Sequence, residues 1–286
     1  MKITVEGISK RFGQLWALKD INLEFGDNKI YGLLGRNGAG KTTLLDLMAG
    51  RIYPNDGAIK LDGMNTDDGV TGELFYMSAA TLYPEGMRVR GAMEFANALY
   101  PGYDAAYAKE LCERFKLSTR AKIKGLSTGY KTICKCVIAL ASNAPFVVYD
   151  EPALGLDANH RMLLYQCMIE NYAQHPKTII ISTHLIEEAA HLIEEAVILD
   201  NGAVIYHAPV ETLLSTACVI SGPAEAVDGF CSGYDVYGEE TLGGFKAKYL
   251  AQKPSGQAPD DVKIGRPELQ KLFVQMTGSS DWRNRL

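Results

Sequence analysis

Four groups of residues in this chain have the types and spacing needed for chemistry on a phosphate ester. The first is Gly35-Arg36-Asn37-Gly38-Ala39-Gly40-Lys41-Thr42, which fits the pattern G-x-x-x-x-G-K-[ST] at every fixed position. A glycine-rich turn lets backbone N–H groups converge on phosphate oxygens, because no Cβ blocks their approach. A helix that starts there adds the positive end of its dipole. Lys41 then reaches the β- and γ-phosphates, and the Thr42 hydroxyl ligates Mg²⁺. Gly35, Asn37, Gly38, Ala39, Gly40, Lys41, Thr42 and Thr43 are the expected nucleotide contacts of this stretch. The second group is Asp150-Glu151, two carboxylates at the end of the apolar run Phe146-Val147-Val148-Tyr149. With a phosphate loop upstream, a strand-end aspartate holds Mg²⁺ and an adjacent glutamate polarises the attacking water as a general base. The third is His184, which ends a second apolar run, Thr178–Ser182. The fourth is Leu126-Ser127-Thr128-Gly129-Tyr130, where Ser127 reads as an N-cap ahead of an apolar helix.

These groups need a scaffold that presents them at one edge. Residues 29–34 read as a short buried strand and 42–50 as a helix that Gly50 ends. Residues 2–6 and 21–25 alternate apolar and polar, which predicts two antiparallel strands. Lys10–Gly13 forms a turn between them. Phe12 on that turn could stack on an adenine ring or close the sheet edge, and its position alone does not decide. A strand is expected at 58–63 and another at 74–77, then helices from about 88 to 118 separated by Pro101-Gly102. Ligands collect at the C-terminal ends of strands in open parallel sheets, where Asp150, Glu151 and His184 all stand. Helices are expected at 161–172 and from about 187 to 195. Asn201-Gly202 between two apolar runs then signals a hairpin.

Composition is that of an ordinary globular chain: 286 residues, 47% apolar, 22% charged, with a net charge of −5. That balance gives no global attraction to nucleic acid or anionic lipid. The six cysteines form no C-x-x-C pair, several fall on apolar stripes, and buried thiols in a reducing cytoplasm are expected. No apolar run reaches the ~18 residues of a membrane helix, and the N-terminus lacks a signal-peptide pattern, so a soluble protein is expected.

Taken together, these residues resemble the nucleotide-binding subunit of a bacterial-type ABC transporter, over roughly residues 2–210. Residues 35–42 match Walker A, and 146–151 match Walker B with its following glutamate. Gly155-Leu156-Asp157 resembles the D-loop, His184 the switch histidine, Phe12 the adenine-stacking aromatic, and Leu126–Tyr130 the signature, usually LSGGQ. The resemblance implies an α/β P-loop NTPase core: a parallel sheet flanked by helices, an antiparallel N-terminal β subdomain and a helical insertion at about 80–135. It implies an ATPase using ATP and Mg²⁺, with Glu151 and His184 catalytic and Thr42 and Asp150 on the metal. Ser127 and Gly129 would meet the γ-phosphate held by a second ATP-binding subunit, and Asp157 would contribute to the nucleotide site. The partners implied are that second subunit and a transmembrane permease, with the chain cytoplasmic and peripheral on the inner face of the cell membrane.

Three residues depart from the pattern. Thr128 replaces the first signature glycine, Tyr130 replaces the glutamine, and Ala79 stands where a glutamine usually follows the strand at Tyr76-Met77. Residues 216–286 lie beyond the resemblance, after a domain at 1–215. They read as β-α-β-β-α, a small α/β appendage without recognisable chemistry. A soluble ABC-type ATPase acting on nucleic acid or ribosomes is the alternative. It would carry a long coiled coil or two nucleotide domains, and neither fits this chain, so no nucleic acid is expected. In a P-loop kinase the signature-like motif and His184 would be coincidences.

Overall fold

The computed structural model describes residues 1–278 apart from 67, 68, 70, 71, 81, 82 and 85, so parts of the expected insertion and residues 279–286 of the expected appendage lie outside the described residues. The chain opens with β1 (Ile3–Phe12) and β2 (Leu15–Phe25), antiparallel partners from Ile3–Phe25 to Phe12–Leu15. Both run longer than the alternation at 2–6 and 21–25 suggests. Register shifts after Val5, Ile8 and Lys10 interrupt that alternation but not the pairing. Phe12 therefore ends a strand, and the turn is Gly13-Gln14. Next come β3 (Ile30–Gly35), α1 (Lys41–Met48), β4 (Asp56–Leu61), β5 (Met64–Asn65) and β6 (Leu74–Met77). The helical insertion holds α2 (Val89–Leu99), α3 (Ala105–Arg114), a 3-10 turn at Ile123–Gly125 and α4 (Thr128–Ala141). The chain returns through β7 (Phe146–Asp150), α5 (Ala158–Gln174), β8 (Thr178–Ser182), α6 (Ile186–Ala189), β9 (Glu195–Asp200) and β10 (Ala203–Pro209).

The central sheet has the order β10-β9-β3-β8-β7-β6, and its five strands other than β10 are parallel. Strands β3, β7 and β8 are buried throughout because both faces are covered. Alternation assigns the faces: Val147, Tyr149, Ile179 and Ile181 pack with α4 and α5, whereas Phe146, Val148 and Ile180 pack with α1 and the antiparallel sheet. That sheet has the order β2-β1-β4-β5. The register pairs Asp150 with Ser182, so Glu151 and Thr183 leave the sheet side by side.

A one-turn α6 replaces the helix expected from 187 to 195, because Glu195 already pairs with Tyr31 in β9. A helix that the sequence reading did not include, α7 (Val210–Thr216), precedes the final unit. This unit contains β11 (Cys218–Pro223), α8 (Ala224–Phe230), β12 (Val236–Leu242), β13 (Phe245–Leu250), β14 (Lys263–Gly265) and α9 (Leu269–Gly278). Its order is β-α-β-β-β-α rather than β-α-β-β-α, since Lys263–Gly265 adds a strand beside β11. It has a small core of its own around Cys218, Ile220, Val227 and Leu250. Helix α9, however, sends Leu269, Leu272, Phe273 and Met276 into the main core with Ile186 and Ala189. All six cysteines are buried free thiols. Among the described residues, no helix is long and apolar enough to cross a membrane.

Candidate functional site

Strand β3 delivers the chain to Gly35, and the loop that follows closes against β2 before α1 begins. At the N-cap of α1, Gly40 has φ +107, and a Cβ there would lie 2.6 Å from the carbonyl oxygen of Ala17. Only glycine fits both demands. Lys41 is buried, and its Nζ donates to the carbonyls of Gly35 at 2.6 Å and Arg36 at 3.2 Å. Burial pulls its pKa down, opposed by the carboxylates of Glu151 and Asp150. The ammonium thus rests inside the glycine-rich loop, held by that loop's own carbonyls. One residue into the helix, the Thr42 hydroxyl donates to Oδ2 of Asp150 at 3.3 Å, and the Tyr76 hydroxyl reaches the same oxygen at 3.5 Å. Burial raises the Tyr76 pKa, which keeps the phenol neutral beside that carboxylate.

A cleft of about 570 Å³ lies over this loop. Phe12, Asn37, Gly38, Gly40, Lys41, Thr42, Thr43, Asp150 and Glu151 line it: six residues from the loop and the start of α1, two from the end of β7 and an aromatic from β1. Gly35 and Ala39 complete the loop beneath them. Phe12 is 52% exposed at the cleft, so it does not close the sheet edge as a core residue would. Trp16, Lys19 and Asn201 also line the cleft, and sequence reasoning missed them. Trp16 could have been found from its place just beyond the Gly13 turn, opposite Arg11, whose guanidinium lies 5.6 Å from the ring.

Glu151 follows β7 in the left-handed region at φ +52, a conformation that is costly for a side chain with a Cβ. Its N–H is held by the carbonyl of Ser182 at 2.8 Å. This directs the carboxylate to His184, whose Nδ1 lies 2.8 Å from Oε2 of Glu151. The pair brings a potential base and a half-exposed imidazole together beside the Thr42–Asp150 contact.

Ser127, Gly129 and Asp157 do not line that cleft. Ser127 caps α4, its Oγ accepting the N–H of Tyr130 at 3.3 Å. Gly129 packs so closely on the 154–157 segment that a Cβ would lie 2.6 Å from the Gly155 oxygen. Thr132 adds a hydroxyl bond to the Leu154 carbonyl at 3.0 Å. Asp157 caps α5, accepting from the N–H of His160 at 2.9 Å, and its other oxygen lies 3.0 Å from His160 Nδ1. The edge of Tyr130 meets the same imidazole at a centroid distance of 5.9 Å. Within one chain, then, the signature end and the cleft are separate, and the signature is fastened to the 154–160 segment.

The fold and the loop chemistry define an α/β P-loop NTPase. The family model described as "ABC transporter" matches residues 18–154. The ABC transporter ATP-binding protein YtrB of Bacillus subtilis is 31% identical over 188 residues, covering 65% of this chain and 64% of that protein. The Nod factor export ATP-binding protein I of Burkholderia lata is 30% identical and covers 96% of this chain and 97% of its own length. A solved structure titled "Structure of ATP binding subunit of ABC transporter" superposes with a TM-score of 0.67 at 25% identity, over 75% of this chain and 92% of that one. The chain belongs to the ABC transporter family as an ATP-binding subunit, an ATPase that powers a separate permease.

Proposed function

We propose that this subunit hydrolyses ATP at a composite site: the cleft over Lys41 supplies one wall, and Ser127 and Gly129 of a second ATP-binding subunit supply the other. Lys41 exchanges its two loop carbonyls for the β- and γ-phosphates, and Phe12 stacks on the base. The site's oxygen donors, a hydroxyl and a carboxylate in contact, suit Mg²⁺, a hard cation that prefers oxygen ligands. Thr42 and Asp150 would hold it, and it would offset the charge that builds on the phosphate oxygens. Glu151 takes a proton from water as that water's oxygen bonds to the γ-phosphorus, and the bond to ADP breaks. His184 orients the carboxylate and meets the γ-phosphate, so it senses the phosphate's loss.

The observation that carries this reading is the Glu151–His184 contact standing beside Thr42–Asp150, on neighbouring strand ends. Residues 1–215 form the ATP-binding domain in this reading and 216–286 an appended subdomain. The permease holds the subunit on the inner face of the cell membrane, where ATP is available. Comparing Asp150→Asn with Glu151→Gln tests the roles. Asp150→Asn lowers Mg-ATP affinity and turnover together. Glu151→Gln keeps affinity and slows hydrolysis by about 10²–10⁴-fold, the usual worth of general acid–base help. Parental turnover in Glu151→Gln would remove Glu151 from the base role.

A further inference from the structure

Helix α4 carries a lysine where its neighbours are apolar. Lys135 lies mid-helix between the buried Cys134 and Cys136 and is 8% exposed. Placing an ammonium group there is unfavourable unless its protons find acceptors. Its Nζ donates to two main-chain carbonyls, those of Ser78 and Ala79, each at 2.8 Å. Both belong to the turn that leaves β6, the edge strand of the central sheet. Ala79 in that turn also lines the nucleotide cleft. An alanine side chain has no donor or acceptor, so residue 79 cannot report on the cleft through its side chain. Its backbone is tied to α4 instead, whose cap is Ser127 and whose first turn holds Gly129. A cavity of about 160 Å³, lined by Tyr76, Met77, Ser78, Tyr83 and Lys135 among others, leaves the turn room to shift if the ammonium is removed.

We propose that Lys135 is a positioning residue that does in this chain what a side chain at position 79 cannot: it holds the Ser78–Ala79 turn on α4, so the nucleotide cleft and the signature end move as one body. This rests on the composite-site reading above. A methionine at 135 fills similar space but frees the turn. The signature end then loses its register with the cleft, while the groups that bind ATP in that cleft stay in place.

The test uses the purified full chain with Lys135→Met and Lys135→Arg, each checked by thermal melting. A parent chain that fails to bind Mg-ATP overturns the proposed function, an outcome separate from any comparison of variants. Lys135→Met is expected to bind Mg-ATP within about threefold of the parent yet lose about 10²-fold in kcat, as displaced constellations do. Its ATP-driven dimer, trapped in the Glu151→Gln background, weakens as well. Lys135→Arg keeps the charge and its donors and recovers most of the turnover. Turnover of Lys135→Met within about twofold of the parent, or affinity and turnover falling in parallel, overturns the inference. If Lys135→Met does not fold, hydrogen exchange on the parent decides. Amides at 78–80 and 127–131 gaining protection along one Mg-ATP dose curve support it, and protection at 127–131 alone overturns it.

Discussion

Nδ1 of His184 and Oε2 of Glu151 lie 2.8 Å apart, which joins the residues that follow two neighbouring parallel strands into one hydrogen-bonded unit. The carboxylate can only accept, so Nδ1 of the imidazole carries the proton they share. Residues that act as a unit do not lose activity additively. His184→Ala is expected to leave ATP affinity near the parental value and lower kcat by about 10²-fold. Combined with Glu151→Gln it should add little further loss. Single-turnover hydrolysis by both single variants and the double variant checks this, and strictly multiplicative losses would separate the two residues.

Lys41 is the buried cation of the loop, held by the Gly35 and Arg36 carbonyls. In the proposed site that ammonium meets the β- and γ-phosphates, so Lys41→Ala should lower Mg-ATP affinity about 10²-fold or more. Equilibrium binding of a fluorescent ATP analogue measures it. Unchanged affinity would mean that nucleotide binds elsewhere.

Phe12 has little packing to lose, because it stands exposed at the cleft. Phe12→Ala should therefore leave the melting temperature within a degree or two and weaken ATP by about 1–3 kcal/mol, the range of base–aromatic stacking. If Trp16 is the stacking ring instead, Trp16→Ala will show that loss and Phe12→Ala will not.

The close approach of Gly129 to the Gly155 carbonyl leaves no room for a methyl group. Gly129→Ala should force the signature away from the 154–157 segment at a cost of about 1–3 kcal/mol. Nucleotide affinity of the single chain is expected to hold while the ATP-driven dimer weakens, as sedimentation in the Glu151→Gln background would reveal.

Lys177 gives a pH dependence of stability unrelated to the site. Burial lowers its pKa from 10.5 to about 8, and its Nζ has Asn143 Oδ1 as partner at 3.0 Å. Between those values the unfolded chain holds a proton that the folded chain has released, so stability rises with pH across that window. Below about pH 8 both states are protonated, and the folded state carries the full penalty, of order 3 kcal/mol. Lys177→Met should raise stability at pH 7 and flatten the alkaline rise in denaturant titrations. A steeper rise in the variant would contradict this assignment.

The parts of the site that depend on local covalent order were legible from the chain alone. Gly35–Thr42 must be a strand-to-helix turn, and Asp150-Glu151 must end a buried strand, because apolar runs and glycine spacing leave little choice. Ser127 could be read as a cap because a hydroxyl preceded an apolar helix. Other features arise only in three dimensions. Trp16 and Asn201 reach the cleft through pairing of β2 and the β9–β10 turn, and a lysine amid cysteines does not reveal that its acceptors lie 56 and 57 residues away. Lys263–Gly265 is too short for alternation to register, and only its pairing with β11 makes it a strand. The helix expected at 187–195 stops at Ala189, because the Glu194 N–H already bonds to the Ile30 carbonyl and Glu195 pairs with Tyr31 in the central sheet.

Helix α9 lays Leu272, Phe273 and Met276 against α6, and the Gln270 side chain accepts the N–H of Glu187 at 3.1 Å. That junction lies three residues past His184. Trimming the chain at residue 216 would therefore open a greasy seam on the helix that follows His184. A graft of this cassette onto another transporter would have to carry α9 along to keep that seam covered.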